Sequence, residues 1–245
     1  MFIWVFIKSM DTILFDLHDT LIKVNMADLM SIYFREFSLA FQQKCDQGNL
    51  LELLLGALSD MTSNDGSKTN EMAFISRLSS ELNCNYESCK ELLESFYHNG
   101  FLHVKDTINP IAEMQENIKI LVDKGYTLVL ATNPVFSRPC VLYMMAWGGI
   151  EPSDFMYIST YENSRFCKPN PKYYSGILSE LKLSPAKCMM VGNDAVEDIA
   201  AKQANIKAYL VTDYILNESN MSINPDYKGD RSAFSKFVLG LKTVH

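Results

Sequence analysis

The stretch ILFDLHDTLI, Ile13 to Ile22, decides the fold. Three apolar residues run straight into Asp16. A short unbroken apolar run of this kind predicts a strand buried on both faces of a parallel sheet. An acid at its C-terminal end stands where open parallel sheets bind their ligands. A carboxylate in that place can act as a nucleophile. His18 follows two residues later, with Asp19 and Thr20 beside it.

Working outward, the texture changes at about Met26. Leu29, Ile32, Tyr33, Phe37 and Phe41 recur at helical spacing, and further helical stretches follow at Leu50–Leu58, Met72–Leu82 and Leu92–Phe96. Ser59–Asn70 is polar and reads as a loop. Beyond Asp106, strands and helices alternate. Asn109-Pro110 is expected to open a helix, because proline suits the first helical turn, and Gly125 to close it. Strands are predicted at Thr127–Ala131, Phe155–Ser159, Cys188–Val191 and Ala208–Val211. Helices are predicted at Cys140–Trp147, Pro171–Leu181, Val196–Ala204 and Ala233–Leu241, with Asn217–Arg231 a polar loop. The expectation is an α/β protein: a five-strand, Rossmann-like parallel core over residues 10–24 and 105–245, interrupted by an all-helical cap over residues 25–104.

Four predicted strand ends carry chemistry. The first ends in Asp16 and the second in Thr132-Asn133. Lys168-Pro169 follows the third. The fourth runs through MMVGNDAVED into Asn193, Asp194, Glu197 and Asp198. Together they suit phosphoryl transfer. A carboxylate attacks, a Thr hydroxyl and a Lys ammonium hold the phosphoryl group, and Mg²⁺ bridges carboxylate and phosphate oxygens.

These motifs resemble those of the haloacid dehalogenase-like hydrolase superfamily. FDLHDTL is similar to its first motif, LVLATNP to its second, FCKPNPKYY to its third and MVGNDAVEDI to its fourth. The cap lies where the helical-cap (subfamily I) members carry theirs, and ATNPVF, CKPNP and VGNDAVED resemble a bacterial subgroup. The resemblance implies Mg²⁺ dependence and, most often, hydrolysis of a small phosphate monoester through an aspartyl-phosphate. Carried over by position, Asp16 is the nucleophile. Thr132 and Asn133 contact the phosphoryl group, and Lys168 neutralises charge. The metal ligands are Asp16, the backbone carbonyl at His18, and acids among Asn193, Asp194 and Asp198, with Asp194 and Asp198 the preferred pair.

One position departs from the family pattern. Phosphatases of this family place the acid/base aspartate where His18 stands. Histidine titrates near neutrality and can move protons, but it differs in size and shape. Two readings stay open: a hydrolase of altered proton transfer, and a catalytically impaired protein that binds a phosphorylated ligand. A C–X bond hydrolase would need a cap arginine, for which Arg35 is the nearest candidate.

The composition narrows the classes. A net charge of -7 with no basic run excludes a nucleic-acid backbone as a natural partner. The opening MFIWVFIKSM is too short to span a bilayer and lacks a signal-peptide cleavage site, so residues 1–9 are expected to be an extension before Met10. Six cysteines without CxxC or zinc spacing fit reduced thiols in the cytoplasm. The oligomeric state is not legible.

Overall fold

β1 (Thr12–Phe15) is a central strand: all four of its residues are buried, and it has a parallel neighbour on each side. In the computed structural model, which describes residues 10–44, 47–217 and 223–244, β1 pairs with β4 (Thr127–Leu130) and β6 (Cys188–Gly192). Thr12 lies opposite Thr127 on one side and Cys188 on the other. β5 (Tyr157–Ile158), β7 (Lys207–Val211) and β8 (Tyr227–Gly229) complete a six-stranded sheet in the order β5-β4-β1-β6-β7-β8.

Side chains alternate along the central strands and both sets are buried, as a parallel sheet covered on two faces requires. Ile13, Phe15, Leu128, Leu130, Met189 and Val191 join one apolar cluster. There they meet α5 (Ala112–Asp123), α6 (Arg138–Trp147) and α8 (Arg231–Gly240), through residues such as Ile118, Val141 and Phe234. Leu14, Val129 and Met190 join a second cluster with Tyr174 and Ile177 of α7 (Pro171–Leu181).

Between β1 and β4 lie four cap helices: α1 (Met26–Phe41), α2 (Gln47–Thr62), α3 (Asn70–Glu81) and α4 (Tyr86–His98). Asn25, Thr69 and Asn85 accept hydrogen bonds from the first-turn amides of α1, α3 and α4. Their apolar faces close on an aromatic cluster. The Phe37 ring stacks on Phe41 at 4.4 Å, and Tyr33 meets Phe96 edge-on at 5.1 Å.

Several expectations need correction. The sheet has six strands, not five, because β8 forms inside the segment expected to be a loop. It is short and lies on an edge, and Tyr227 contributes by stacking on Tyr209, a contact that no apolar run announces. Asn109-Pro110 opens no helix. It belongs to β3 (Ile108–Pro110), which pairs antiparallel with β2 (Ile22–Val24) at the two crossings between core and cap. The residue before a proline is pushed towards extended backbone, and α5 starts only at Ala112. The predicted helix Val196–Ala204 is a turn followed by a 3₁₀ segment, Ile199–Ala204. Asp194 Oδ1 accepts from the amides of Val196 and Glu197, which holds the chain in a tight turn there. α2 runs on to Thr62, so the connecting loop is shorter than Ser59–Asn70. The expectations for residues 1–9 and for Cys45 lie outside the described residues. The other five cysteines are free thiols, all buried except Cys84, which is half-buried. Among the described residues, no helix is long and apolar enough to cross a membrane.

Candidate active site

Three adjacent parallel strands, β4, β1 and β6, end side by side, and their C-terminal residues carry the polar groups. Asp16 follows β1, Thr132-Asn133 follows β4, and Asn193-Asp194 follows β6. Lys168, from the loop before α7, lies among them with its side chain sealed from solvent. Its peptide bond to Pro169 is cis. Lys168 Nζ donates to Asp16 Oδ1 at 2.8 Å and to Asp198 Oδ1 at 2.7 Å.

Burial opposes the charge on Lys168, but Asp16 and Asp198 outweigh it and raise the ammonium well above its usual pKa. Burial pushes the Asp198 carboxyl up to about 6, against the pull of Lys168. The lysine therefore stays charged between Asp16 and Asp198. The second oxygen of Asp198 accepts from the Asp194 amide at 2.9 Å. Gly192 is required beneath it, since a Cβ there would collide with that carboxylate.

The structure brings Asp16, His18, Thr132, Asn133 and Asp194 to one cavity of about 290 Å³. Asp16 Oδ2 accepts no hydrogen bond among the described residues. The Thr132 carbonyl is anchored by Ser159 Oγ and the Tyr173 hydroxyl, both at 2.7 Å. Asn133 Oδ1 accepts from the Lys168 amide, and its Nδ2 donates to Glu197 Oε1 at 2.8 Å. Burial raises Glu197 to about 7. Lys168 and Asp198 lie behind this wall rather than on it.

His18 is half-buried. Its Nε2 lies 3.3 Å from Met144 Sδ, and its ring meets Phe136 edge-on at 5.9 Å. Burial lowers its pKa to about 4, against the opposing field of Asp19, so the ring is neutral at pH 7. Asp19 takes a left-handed backbone (φ 55°), and its carboxylate accepts from the Val24 amide at 3.1 Å. That carboxylate closes the turn into β2.

Asn193, one of the open metal candidates, is occupied otherwise. Its Oδ1 accepts from Thr20 Oγ1 at 3.1 Å, and its Nδ2 donates to the Tyr214 carbonyl at 2.7 Å. The oxygens left for a cation are those of Asp16 and Asp194 and the His18 carbonyl. No cluster of three His, Cys, Asp or Glu side chains is assembled among the described residues. A hard cation such as Mg²⁺ commonly takes only one or two protein carboxylates, with water and substrate oxygens filling the rest. The donor set fits it.

Sequence reasoning missed the apolar part of the lining: Met26, Met30, Tyr33 and Leu58 from the cap, and Val135, Phe136 and Leu216 from the core. The helical spacing marked Tyr33 only as cap interior. Arg35 does not reach the cavity lining. It is largely exposed and holds Glu36 through two contacts of 3.0 and 2.7 Å. His98 contacts the Tyr143 hydroxyl, and His103 contacts Glu36.

Residues 13–211 match the haloacid dehalogenase-like hydrolase family, and the chain belongs to it. Among curated relatives, a pyrophosphatase, PpaX, of Halalkalibacterium halodurans is 22% identical over 89% of this chain and 92% of its own. Solved structures share the fold. A HAD phosphatase from Thermococcus onnurineus aligns with a TM-score of 0.58 at 20% identity, covering 96% of this chain and all of its own. A 2-haloacid dehalogenase from Pseudomonas syringae aligns at 0.63 and 19% identity, covering 94% and 98%. A predicted phosphoglycolate phosphatase from Haemophilus somnus aligns at 0.54 and 18%, covering 94% and 98%.

Proposed function

We propose that this hydrolase is a Mg²⁺-dependent, cytoplasmic phosphatase that cleaves a small phosphate monoester through an aspartyl-phosphate. One observation carries the reading. Lys168 fixes one oxygen of Asp16 and leaves the other, which has no hydrogen-bond partner among the described residues, at an open cavity. The relatives named as phosphatases support it.

Asp16 attacks phosphorus. The bond from phosphorus to the ester oxygen breaks, and that oxygen leaves with the bonding pair and takes up a proton from water. Water then attacks the aspartyl-phosphate, its proton passing to the neutral His18 ring and on to solvent, and releases phosphate with the carboxylate restored. Thr132 and the backbone beside Asn133 orient the phosphoryl oxygens. The Lys168 ammonium balances their charge. Asp198 is a positioning residue that aims Lys168. Asp16, Asp194 and the His18 carbonyl would hold the Mg²⁺, which supplies charge stabilisation to the phosphoryl group when bound. His18, neutral at pH 7, can accept a proton but holds none in readiness for a leaving oxygen, so turnover of alkyl esters is slow.

A second reading, a protein that binds a phosphorylated ligand without turning it over, is favoured by the contact of His18 with Met144. Against C–X hydrolysis stands the engagement of Arg35 with Glu36. Phosphate release with and without Mg²⁺ separates the two readings. Wild type is expected to turn over, chelation and Asp16→Asn to stop it, and His18→Asp to raise the rate by up to about 10²-fold. Silence in all three proteins would favour binding alone.

A further inference from the structure

The cavity has two chemistries. Its floor holds Asp16, Asp194 and Glu197, and no lysine or arginine stands among its described lining residues. Its cap side and mouth are apolar: Met26, Met30, Tyr33, Leu58, Phe136 and Leu216. Met26, Met30 and Leu216 are 40%, 36% and 46% exposed, so this apolar surface faces solvent.

Lys168, behind the floor, is held by Asp16 and Asp198, while Arg35 is bound to Glu36, Lys23 to the Tyr214 hydroxyl at 3.0 Å, and Arg165 to the carbonyls of Gly66 and Ser67. Leu216 is held in place by backbone, its amide donating to the Asn193 carbonyl at 3.0 Å and its carbonyl accepting from Ala195 at 2.8 Å. The mouth is thus continuous with the turn that carries Asp194.

We infer that the group attached to the phosphate is uncharged and apolar, and that esters or anhydrides bearing a second negative charge are rejected. The inference rests on the phosphatase reading for the floor, but its physics is separate. An anionic leaving group would lose its hydration against methionine and aromatic side chains and meet no lysine or arginine among the described lining residues. An apolar group would cover surface that now meets water. Pyrophosphate and phosphoglycolate, the substrates that two relatives' names carry, fall in the rejected class.

The test is binding and turnover in the full-length protein with Mg²⁺. Binding is read by calorimetry on Asp16→Asn, with its folding checked by circular dichroism, and turnover is read on wild type. The probes are 1-naphthyl phosphate, inorganic phosphate, pyrophosphate and phosphoglycolate. Expected is 1-naphthyl phosphate binding at least about 10-fold more tightly than inorganic phosphate, the other two binding no better than phosphate, and kcat/KM following the same order. Met30→Arg, at a partly exposed helix position, is expected to narrow the gap between 1-naphthyl phosphate and phosphoglycolate by about 10-fold. Equal or tighter binding of pyrophosphate or phosphoglycolate overturns the inference. A naphthyl preference in binding with no turnover in wild type would sink the phosphatase reading and leave the selectivity standing. If Asp16→Asn does not fold, wild-type competition between the probes decides the same question.

Discussion

On the core side of the cavity, polar groups are bound to other polar groups. Lys168 spans Asp16 and Asp198, Asn133 joins Lys168 to Glu197, and Asn193 joins Thr20 to the Tyr214 carbonyl. On the cap side, Met26, Met30, Tyr33 and Leu58 offer shape and apolar surface. Buried charges tolerate few substitutions, since removing one partner strands the other. Apolar surface tolerates many, provided volume is kept. In the proposed mechanism the first wall carries the reaction and the second chooses what reacts.

That contrast can be broken by experiment. The largest effect is expected at Asp16. Asp16→Asn should cut phosphate release by on the order of 10⁴-fold or more, measured under single-turnover conditions. A residual rate near wild type would move the nucleophile elsewhere. Next comes Lys168→Met, which leaves Asp16 and Asp198 facing each other without a cation. A loss of about 3–5 kcal/mol in urea denaturation is expected, and an unchanged midpoint would show that the ion cluster is not what holds this edge together. In the cap, Phe37→Leu removes the stack on Phe41 and the edge contact with Phe96 at 5.8 Å. It should cost about 1–2 kcal/mol, with kcat on a good substrate nearly intact. If it abolished turnover, the division between the two walls would fail.

The smallest effect is one of pH. Glu36 is drawn below its usual 4.5: burial pulls upward, but hydrogen bonds from Arg35 and His103 prevail. Its contribution to stability is present above pH 4.5 and is lost as pH falls through the lowered value. Glu36→Gln should therefore flatten the thermal melting profile on the acid side of pH 4.5 and leave its shape near neutrality unchanged.

The sequence was most legible where chemistry and geometry share one run of residues. β1 and Asp16 are a single short segment, and so are β6 and Asp194. Lys168 announced itself by the KP pair before a clear helix. The partners of these groups were not legible. Asp198 was read with Asp194 as an acid pair, yet its carboxylate reaches back under Gly192 to Lys168, a contact made across the fold. The helix expected at Val196 is instead a turn, in which Asp194 Oδ1 accepts from the amides of Val196 and Glu197, followed by a short 3₁₀ segment. β2 and β3 were hidden because each is only three residues long and the partners lie at opposite ends of the insert. The apolar wall was invisible for a simpler reason: helical periodicity marks a buried face without saying whether protein or ligand covers it.

The pairing of β2 with β3 bears on how such a chain changes over generations. Val24 and Ile108 lie opposite each other, so the insert leaves and re-enters the core at neighbouring points. From the core's side, everything between them is one closed loop. Doubling the length of such a loop costs only about 0.6 kcal/mol in closure entropy. Inherited changes in the insert's length or helix number can therefore accumulate while the strand register that carries Asp16 stays as it was. A lineage can keep its reaction and replace its substrate.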